Sequence, residues 1–221
     1  MISERILNVW RRVFKPFEYP AELEHAIGDA KTVLDVGCGY PSPIKGFSKK
    51  FHAVGVDLFE PSIEKSRAEG IHNDYLKIDV LEMGAKLKDK SFDCVLASDL
   101  IEHLSKEDGI KLLEMMERIA KERVVVFTPN GFLSQGEYDG NPWQIHRSGW
   151  TPAEMNQRGY RVVGINGYKS LRGPYSYLKY KPEFFWQIVS DMTQLVLKRF
   201  PNAAFQILCV KDVRRIENRI Q

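Results

Sequence analysis

The sequence predicts an α/β fold in which a doubly wound, mostly parallel sheet lies between two layers of helices. Two observations predict it. Seven short runs rich in β-branched residues alternate with helix-like stretches, and this alternation is typical of parallel strands covered by helices on both faces. A loop with two glycines directly follows the first of these runs, which places a binding crevice at the carboxyl end of the sheet.

The composition is that of one globular domain. The chain has 221 residues, of which 43% are hydrophobic and 28% charged, and this excludes a disordered chain. The longest apolar runs, such as residues 124–127, fall far short of the roughly 18 residues that a membrane-spanning helix needs. Residues 1–5 do not resemble a signal peptide, so we expect the cytoplasm.

The net charge and the cysteines give no signal for nucleic-acid binding or for a zinc site. Lys and Arg number 32 against 29 Asp and Glu, an excess too small to indicate nucleic-acid binding by itself. Cys38, Cys94 and Cys209 are odd in number, and each lies in an apolar run. We therefore expect reduced thiols in the core and no zinc site.

Most strands and helices can be predicted from local signals. The strands are expected at 32–36, 53–57, 75–79, 92–98, 124–127, 161–165 and 204–210. Capping boxes begin helices after Ser105 and Thr151, and these end near Lys121 and at Gly159. Further helices are predicted at 61–70, at 182–200 and after the loop, where Ser42 and Pro43 provide a cap and a first position.

The segment 32–40 is the most informative. A strand continues directly into Gly37, Cys38 and Gly39, and the glycines let the backbone turn sharply and let a ligand approach the main chain. Asp57 ends the second run, 18 residues after Gly39, near the spacing of an acid that binds ribose hydroxyls. Asp79 ends the third run, where it could bind an adenine amino group. Together these residues predict a nucleoside site.

Several segments resemble, in order, the motifs of class I S-adenosylmethionine-dependent methyltransferases, in particular the small-molecule type 11 group. They are residues 33–39, 56–57, 79–80 and 91–97, followed by Glu102, His103 and Leu104. The resemblance covers residues 31–165. It implies a Rossmann-like, three-layer αβα fold with seven strands, the last of them antiparallel. It also implies S-adenosylmethionine as cofactor and S-adenosylhomocysteine as product.

The resemblance also implies the cofactor contacts. They are Asp35, Gly37, Cys38 and Gly39 at the methionine part, Asp57 and Leu58 near the ribose, Asp79 and Val80 at the adenine, and Ser98 or Asp99 on the crevice floor. Pro41 stands where the family often has a third glycine, so the loop must turn into its helix differently. A nicotinamide dehydrogenase is disfavoured, because Ser42 occupies the third glycine position of its G-x-G-x-x-G fingerprint.

The chain length, together with the resemblance over residues 31–165, predicts a single methyltransferase domain over residues 1–221. Its parts are a helical cover at 1–30, a cofactor-binding core at 31–165, a helical insert at 166–202, and the last strand with a basic tail at 203–221. In the cover, apolar residues from Ile2 to Phe14 recur at helical spacing opposite arginines. A helix packed on its own domain is favoured, and a membrane-surface or partner helix is the alternative.

Residues for the transfer step are expected after the fourth and fifth strands. Methyl transfer from a sulfonium is an in-line displacement, so positioning and water exclusion are the main tasks. Asp99, Glu102 and His103 resemble the E-x-x-E-H metal motif of some hydroxyl-methylating relatives. The Glu-His pair also occurs in relatives without a metal, so no metal is expected, and these three residues are only candidates.

A long loop at 128–150, rich in aromatic and polar residues, is expected to cover the site. Its catalytic candidates are His146 as proton acceptor, with Tyr138, Asn130 and Trp150 as candidates for binding the methyl acceptor. The alternative for His146 is a structural histidine bonded to the loop backbone. Trp143 and Trp150 are interpreted as anchors of the loop on the core.

The sequence therefore predicts an enzyme that methylates a small or medium-sized molecule, with a hydroxyl or carboxyl oxygen favoured as acceptor. The alternatives are an RNA or protein methyltransferase that uses the basic ends, a cofactor-binding module without catalysis, and a membrane-surface enzyme. Nucleic acid is not expected as a partner. Peripheral membrane contact is allowed by the amphipathic ends but is not predicted.

Overall fold

The structure is a computed structural model that describes residues 18–137 and 141–214. The predictions for the amphipathic N-terminal segment, for Tyr138 and for the tail beyond residue 214 lie outside the described residues. Within the described ranges, no helix is both long enough and apolar enough to cross a lipid bilayer.

The described chain folds around a seven-stranded sheet. Its strands are β1 (Thr32–Val36), β2 (His52–Asp57), β3 (Asp74–Lys77), β4 (Phe92–Ser98), β5 (Ala120–Pro129), β6 (Arg161–Tyr168) and β7 (Ala204–Asp212). Their order is β3-β2-β1-β4-β5-β7-β6, and β7 is antiparallel to both of its neighbours. The predicted mostly parallel, doubly wound sheet with a reversed last strand is confirmed.

Helices flank the sheet. They are α1 (Tyr19–Ile27), α2 (Glu60–Ala68), α3 (Met83–Lys86), α4 (Lys106–Ile119), α5 (Pro152–Gln157) and α6 (Glu183–Leu197). The predicted caps are present, since Ser105 accepts a hydrogen bond from the Asp108 N–H, and Thr151 and Glu154 form a complete capping box. The sheet separates two apolar clusters, and neighbouring residues of β1 alternate between them, with Val33 in one and Leu34 in the other.

Two local predictions were wrong. No helix begins at Ser42 and Pro43, because the Ser42 hydroxyl donates to the buried Asp35 carboxylate and the chain continues through turns to a short 3-10 turn at Ser48–Lys50. The third strand ends at Lys77 and does not reach Asp79. Asp79 instead caps the next turn, where its Oδ1 accepts a hydrogen bond of 2.9 Å from the Leu81 N–H.

Trp150 anchors the loop after β5 on the core. Its side chain is fully buried, its Nε1 donates to the Ser148 hydroxyl at 3.1 Å, and the Lys106 ammonium lies 3.7 Å from a ring centroid. The interpretation of Trp150 as an anchor is confirmed. That of Trp143 was wrong, because 52% of its surface is exposed.

Gly109 of α4 makes room for the Trp150 ring, since a Cβ at this position would lie 2.5 Å from Cζ2 of the tryptophan. We expect Gly109→Ala to lower the free energy of unfolding by about 1–3 kcal/mol through overpacking, although the same change in an open helix position is stabilising. Urea denaturation measures the change. In the control Gly46→Ala, a Cβ meets no atom within 4 Å, and we expect a change within about 1 kcal/mol. Equal stability of the two variants would contradict this packing.

Candidate active site

A crevice lies at the carboxyl ends of the parallel strands. β1 pairs with β2 on one side and with β4 on the other, so the chain reverses the direction of winding there, and open α/β sheets bind ligands at such a point. The crevice contains about 920 Å³ of space open to solvent. Residues at or after the carboxyl ends of β1 to β4 line it: Gly37, Gly39, Asp57, Leu58, Asp79, Val80, Leu81, Asp99 and Leu100.

The glycine loop is fixed to the end of β2. Gly37 and Gly39 have φ angles of +64° and +52°, which favour glycine. A Cβ at Gly37 would lie 2.6 Å from Cδ1 of Leu100. The Gly39 N–H donates to Oδ2 of Asp57 at 2.9 Å, so the loop backbone and the Asp57 carboxylate are held next to each other at the crevice wall.

Asp57 keeps hydrogen-bonding capacity toward the crevice. Its Oδ1 accepts from the Phe59 N–H at 2.8 Å, and its Oδ2 accepts from Gly39. Burial raises the pKa of Asp57 above its usual value, while the N–H donors of Phe59 and Gly39 act in the opposite direction. Each carboxylate oxygen can accept two hydrogen bonds, so the group can bind two further donors.

Three of the residues implied as cofactor contacts do not line the crevice. Asp35 is buried behind the glycine loop, where its Oδ2 accepts from the Ser42 hydroxyl at 2.6 Å and lies 2.8 Å from Nε2 of His72. Cys38 is buried, and burial raises the pKa of its thiol. The Ser98 hydroxyl lies 2.6 Å from the Tyr19 hydroxyl. The structure therefore places these three in the support of the crevice.

The loop after β5 contributes a second wall to the crevice, formed by Asn141, Trp143, Gln144 and Arg147. The N–H groups of Arg147 and Ser148 both donate to the Glu102 carbonyl, at 2.8 and 3.0 Å. These bonds bring the loop onto the 3-10 turn Ile101–His103 and place His146 beside that turn.

Glu102, His103 and His146 form a buried cluster whose ligand-type atoms lie within 4.8 Å of one another. Oε2 of Glu102 accepts from the Thr128 hydroxyl at 2.9 Å, but its Oε1 is buried without a hydrogen-bond partner. Burial, together with the nearby Asp99, raises the pKa of Glu102 well above its usual value. From the sequence, only Glu102 and His103 were expected to lie together, because they are neighbours in the chain, whereas His146 was treated as part of a separate loop.

Both histidine rings are held by backbone carbonyls. Nδ1 of His103 lies 3.3 Å from the Ile145 oxygen, and Nδ1 of His146 lies 2.6 Å from the Leu133 oxygen. A carbonyl only accepts, so the neutral tautomer that satisfies these two contacts carries its hydrogen on Nδ1 and a lone pair on Nε2. Burial, with His146 nearby, lowers the pKa of His103 to about 4, and burial also lowers the pKa of His146. Both rings can therefore serve as metal ligands at neutral pH.

Two other candidates have different surroundings. Asp99 faces the crevice but lies outside the cluster, and its Oδ1 accepts from Nε2 of Gln206 at 3.1 Å. Asn130 uses its side-chain amide within the fold, since Nδ2 contacts the carbonyls of Pro201, Asn202 and Ala204 at 2.8–3.0 Å. No sequence pattern predicted the contact of Asp99 with Gln206 or the contacts of Asn130 with these carbonyls.

Comparison with known proteins supports the expected methyltransferase fold and domain type. Residues 34–128 match the family model described as a methyltransferase domain. The fold is similar to that of a SAM-dependent methyltransferase from Archaeoglobus fulgidus, over 95% of this chain and 94% of that one, with 19% identity and a TM-score of 0.55. The family match and the fold indicate an S-adenosylmethionine-dependent methyltransferase. They likewise support the predicted cofactor, S-adenosylmethionine.

Two further relatives of the enzyme are similar over most of its length. The methyltransferase domain of bacterial CtHen1-CN shares 17% identity and a TM-score of 0.51, over 90% of this chain and 97% of that one. A small RNA 2′-O-methyltransferase from Tetrahymena thermophila is 25% identical over 95% of the enzyme. The enzyme spans only 56% of that relative's length.

The crevice fits a sulfonium nucleoside. Its wall offers bare main chain at Gly37 and Gly39, a carboxylate with remaining acceptor capacity at Asp57, and apolar side chains at Val80 and Leu81. These are the groups that an amino-acid portion, a ribose diol and an adenine ring require.

The support of the glycine loop can be tested by removing His72. His72→Ala leaves the buried Asp35 carboxylate without one of its two side-chain partners, so we expect a loss of about 3 kcal/mol or more in the free energy of unfolding. The control is His52→Ala, whose partner Asp74 is exposed, and here we expect a loss below about 1 kcal/mol. Similar losses in chemical denaturation of the two variants would count against this support.

Proposed function

We propose that the enzyme transfers the methyl group to a hydroxyl oxygen and holds a divalent cation at Glu102, His103 and His146. The observation that carries this proposal is the buried, unpartnered Oε1 of Glu102, which lies in a cluster with two histidines whose Nδ1 atoms are held by carbonyls. A buried ionised carboxylate without a partner is costly, and metal-binding histidines characteristically donate their other N–H to a carbonyl or carboxylate.

The cluster favours a hydroxyl acceptor over a carboxyl group. A carboxylate is already ionised, whereas a hydroxyl benefits from losing its proton during attack. When bound, a divalent cation would supply a Lewis acid that lowers the pKa of the hydroxyl. His103 lines the cofactor crevice as well as the cluster, so an acceptor held there would face the cofactor.

The cofactor contacts are part of the proposal. Asp57 would accept hydrogen bonds from the ribose hydroxyls, and the main chain at Gly37 and Gly39 would lie against the methionine part. Val80 and Asp79 would contact the adenine. Asp35 would act indirectly, because its bonds to Ser42 and His72 support the loop from behind.

Two classes of acceptor remain within this proposal. The first is the small or medium-sized molecule expected from the sequence. The second is a ribose 2′-hydroxyl of RNA, which is favoured by the similarity to the small RNA 2′-O-methyltransferase. It is also supported by the half-exposed Trp143, which lines the crevice with Arg147 and offers a ring for base stacking next to a cation for phosphate.

We also propose a cytoplasmic location. Cys38, Cys94 and Cys209 are free and buried, as is common in reducing compartments.

Asp57→Ala tests the cofactor contacts. It removes a charge-assisted hydrogen bond worth about 1.5–3 kcal/mol, so we expect S-adenosylhomocysteine to bind roughly tenfold to a hundredfold more weakly in calorimetry. Asp29→Ala, at an exposed acid before β1, is the control and should bind as the wild type does. If the Asp57→Ala variant bound S-adenosylhomocysteine as tightly as the wild type, Asp57 would be excluded from the cofactor site.

Chelation and the variant His146→Ala test whether methyl transfer requires a divalent cation at this cluster. After treatment with EDTA, methyl transfer should be lost and should return with Mg²⁺ or Mn²⁺. His146→Ala should lower kcat by at least about 100-fold and leave cofactor affinity within about twofold, since His146 is not among the residues lining the crevice. His25→Ala, at an exposed histidine, should be fully active. Full activity after chelation would reject the cation.

The same methyl-transfer assay distinguishes the two classes of acceptor, small hydroxyl compounds and RNA. Ribonucleosides and polyols are compared with a short RNA and with DNA of the corresponding sequence, which lacks every 2′-hydroxyl. Transfer to the RNA but not to the DNA would favour the second class. Transfer to small hydroxyl compounds alone would favour the first, and transfer only to carboxylates would reject the hydroxyl proposal.

A further inference from the structure

Helix α6 packs against the sheet with its polar side. β6 is the last strand in the sheet order, so one edge of it has no neighbouring strand. Gln194 of α6 accepts from the Gly167 N–H at 2.9 Å and donates to the Gly164 carbonyl at 2.8 Å. Thr193 accepts from the Tyr168 N–H at 3.0 Å. These side chains satisfy backbone groups along the strand edge, which would otherwise be open to pairing with another strand.

The opposite side of α6 is apolar and exposed. We define the α6 face as Phe184, Phe185, Met192, Leu195, Val196 and Phe200, each of which exposes between 44% and 64% of its surface. A helix on a globular protein normally buries its apolar side. Here the polar side chains that complete the β6 edge occupy the inner positions, so the apolar side chains point outward. Contiguous exposed apolar surface of this kind marks an interaction site.

Aromatic and basic residues extend the α6 face. Tyr180, half-exposed, lies with its ring centroid 5.0 Å from that of Trp186 at the start of α6. Residues 169–200 contain six Lys or Arg and two Asp or Glu, whereas the rest of the chain contains 26 Lys or Arg and 27 Asp or Glu. The positive net charge of the protein therefore originates in this segment.

We propose that the α6 face is a docking surface for an anionic lipid membrane. Phe, Leu and Val side chains on the outer side of a helix, with Tyr and Trp at one end and a net positive charge in the same segment, are typical of helices that lie in the plane of a membrane interface. The excess of basic residues complements anionic headgroups. This inference does not depend on the acceptor proposed above.

Two other occupants fit these observations less well. A second copy in a two-fold symmetric dimer would place the same basic segment against itself. Single-stranded RNA binds by stacking its bases on aromatic rings, and Met192, Leu195 and Val196 have no ring to offer. The charge therefore disfavours self-association, and the aliphatic side chains disfavour RNA.

Vesicle flotation of the full chain tests the proposal. The protein should float with vesicles of phosphatidylglycerol and phosphatidylcholine and bind pure phosphatidylcholine at least tenfold more weakly. Phe185→Glu combined with Met192→Glu should lower binding to the anionic vesicles at least tenfold. The matched control is Phe132→Glu, at an aromatic residue that is 65% exposed outside the α6 face, and it should bind as the wild type does.

A second pair of variants tests the charge without changing the apolar side chains. Lys169→Gln combined with Lys179→Gln should weaken binding to anionic vesicles several-fold. Lys86→Gln combined with Lys88→Gln, at exposed lysines between β3 and β4, should leave it unchanged. The proposal is overturned if the wild type fails to float with anionic vesicles or if both pairs weaken binding equally. A dimer detected by light scattering that the combined Phe185→Glu and Met192→Glu changes dissociate would also overturn it. So would loss of single-stranded RNA binding in the same double variant while its binding to vesicles is kept.

Discussion

The parallel pairing of β1 with β2 on one side and β4 on the other is the constraint on which the site depends. In this register Val36 lies opposite both Val56 and Ala97, so the residues that follow the three strands emerge side by side. The Gly39 N–H can then reach Asp57 at 2.9 Å, and Asp99 faces the same crevice. A shift of one residue in this pairing would separate the main-chain donors from the carboxylate.

The two buried polar clusters near the crevice differ in how completely they are satisfied. Asp35 has two side-chain partners, and its partner His72 also lies 3.1 Å from the Ser66 hydroxyl. Such a network supports the loop and has no evident need of a ligand. Glu102, in contrast, has a buried oxygen with no hydrogen-bond partner and lies in a cluster with His103 and His146. An unsatisfied group of this kind calls for an explanation, and a bound cation is the one we propose.

The sequence predicted what depends on local patterns and not what depends on distant contacts. The strands, the caps at Ser105 and Thr151, and the glycine loop follow from hydrophobic alternation, capping chemistry and backbone freedom. The position of His146 depends on hydrogen bonds from the loop to the Glu102 carbonyl, which no local pattern indicates. The wrong helix at Ser42 has the same origin, because its hydroxyl bonds to a carboxylate seven residues away.

A crystal structure of the enzyme with S-adenosylhomocysteine tests the position of the cofactor site most directly. We expect the bound molecule to lie across the ends of β1, β2 and β3, with its ribose hydroxyls within hydrogen-bonding distance of Asp57 and its amino-acid portion against Gly37 and Gly39. Density for the molecule elsewhere on the protein, or a ribose that makes no contact with Asp57, would contradict the site described here.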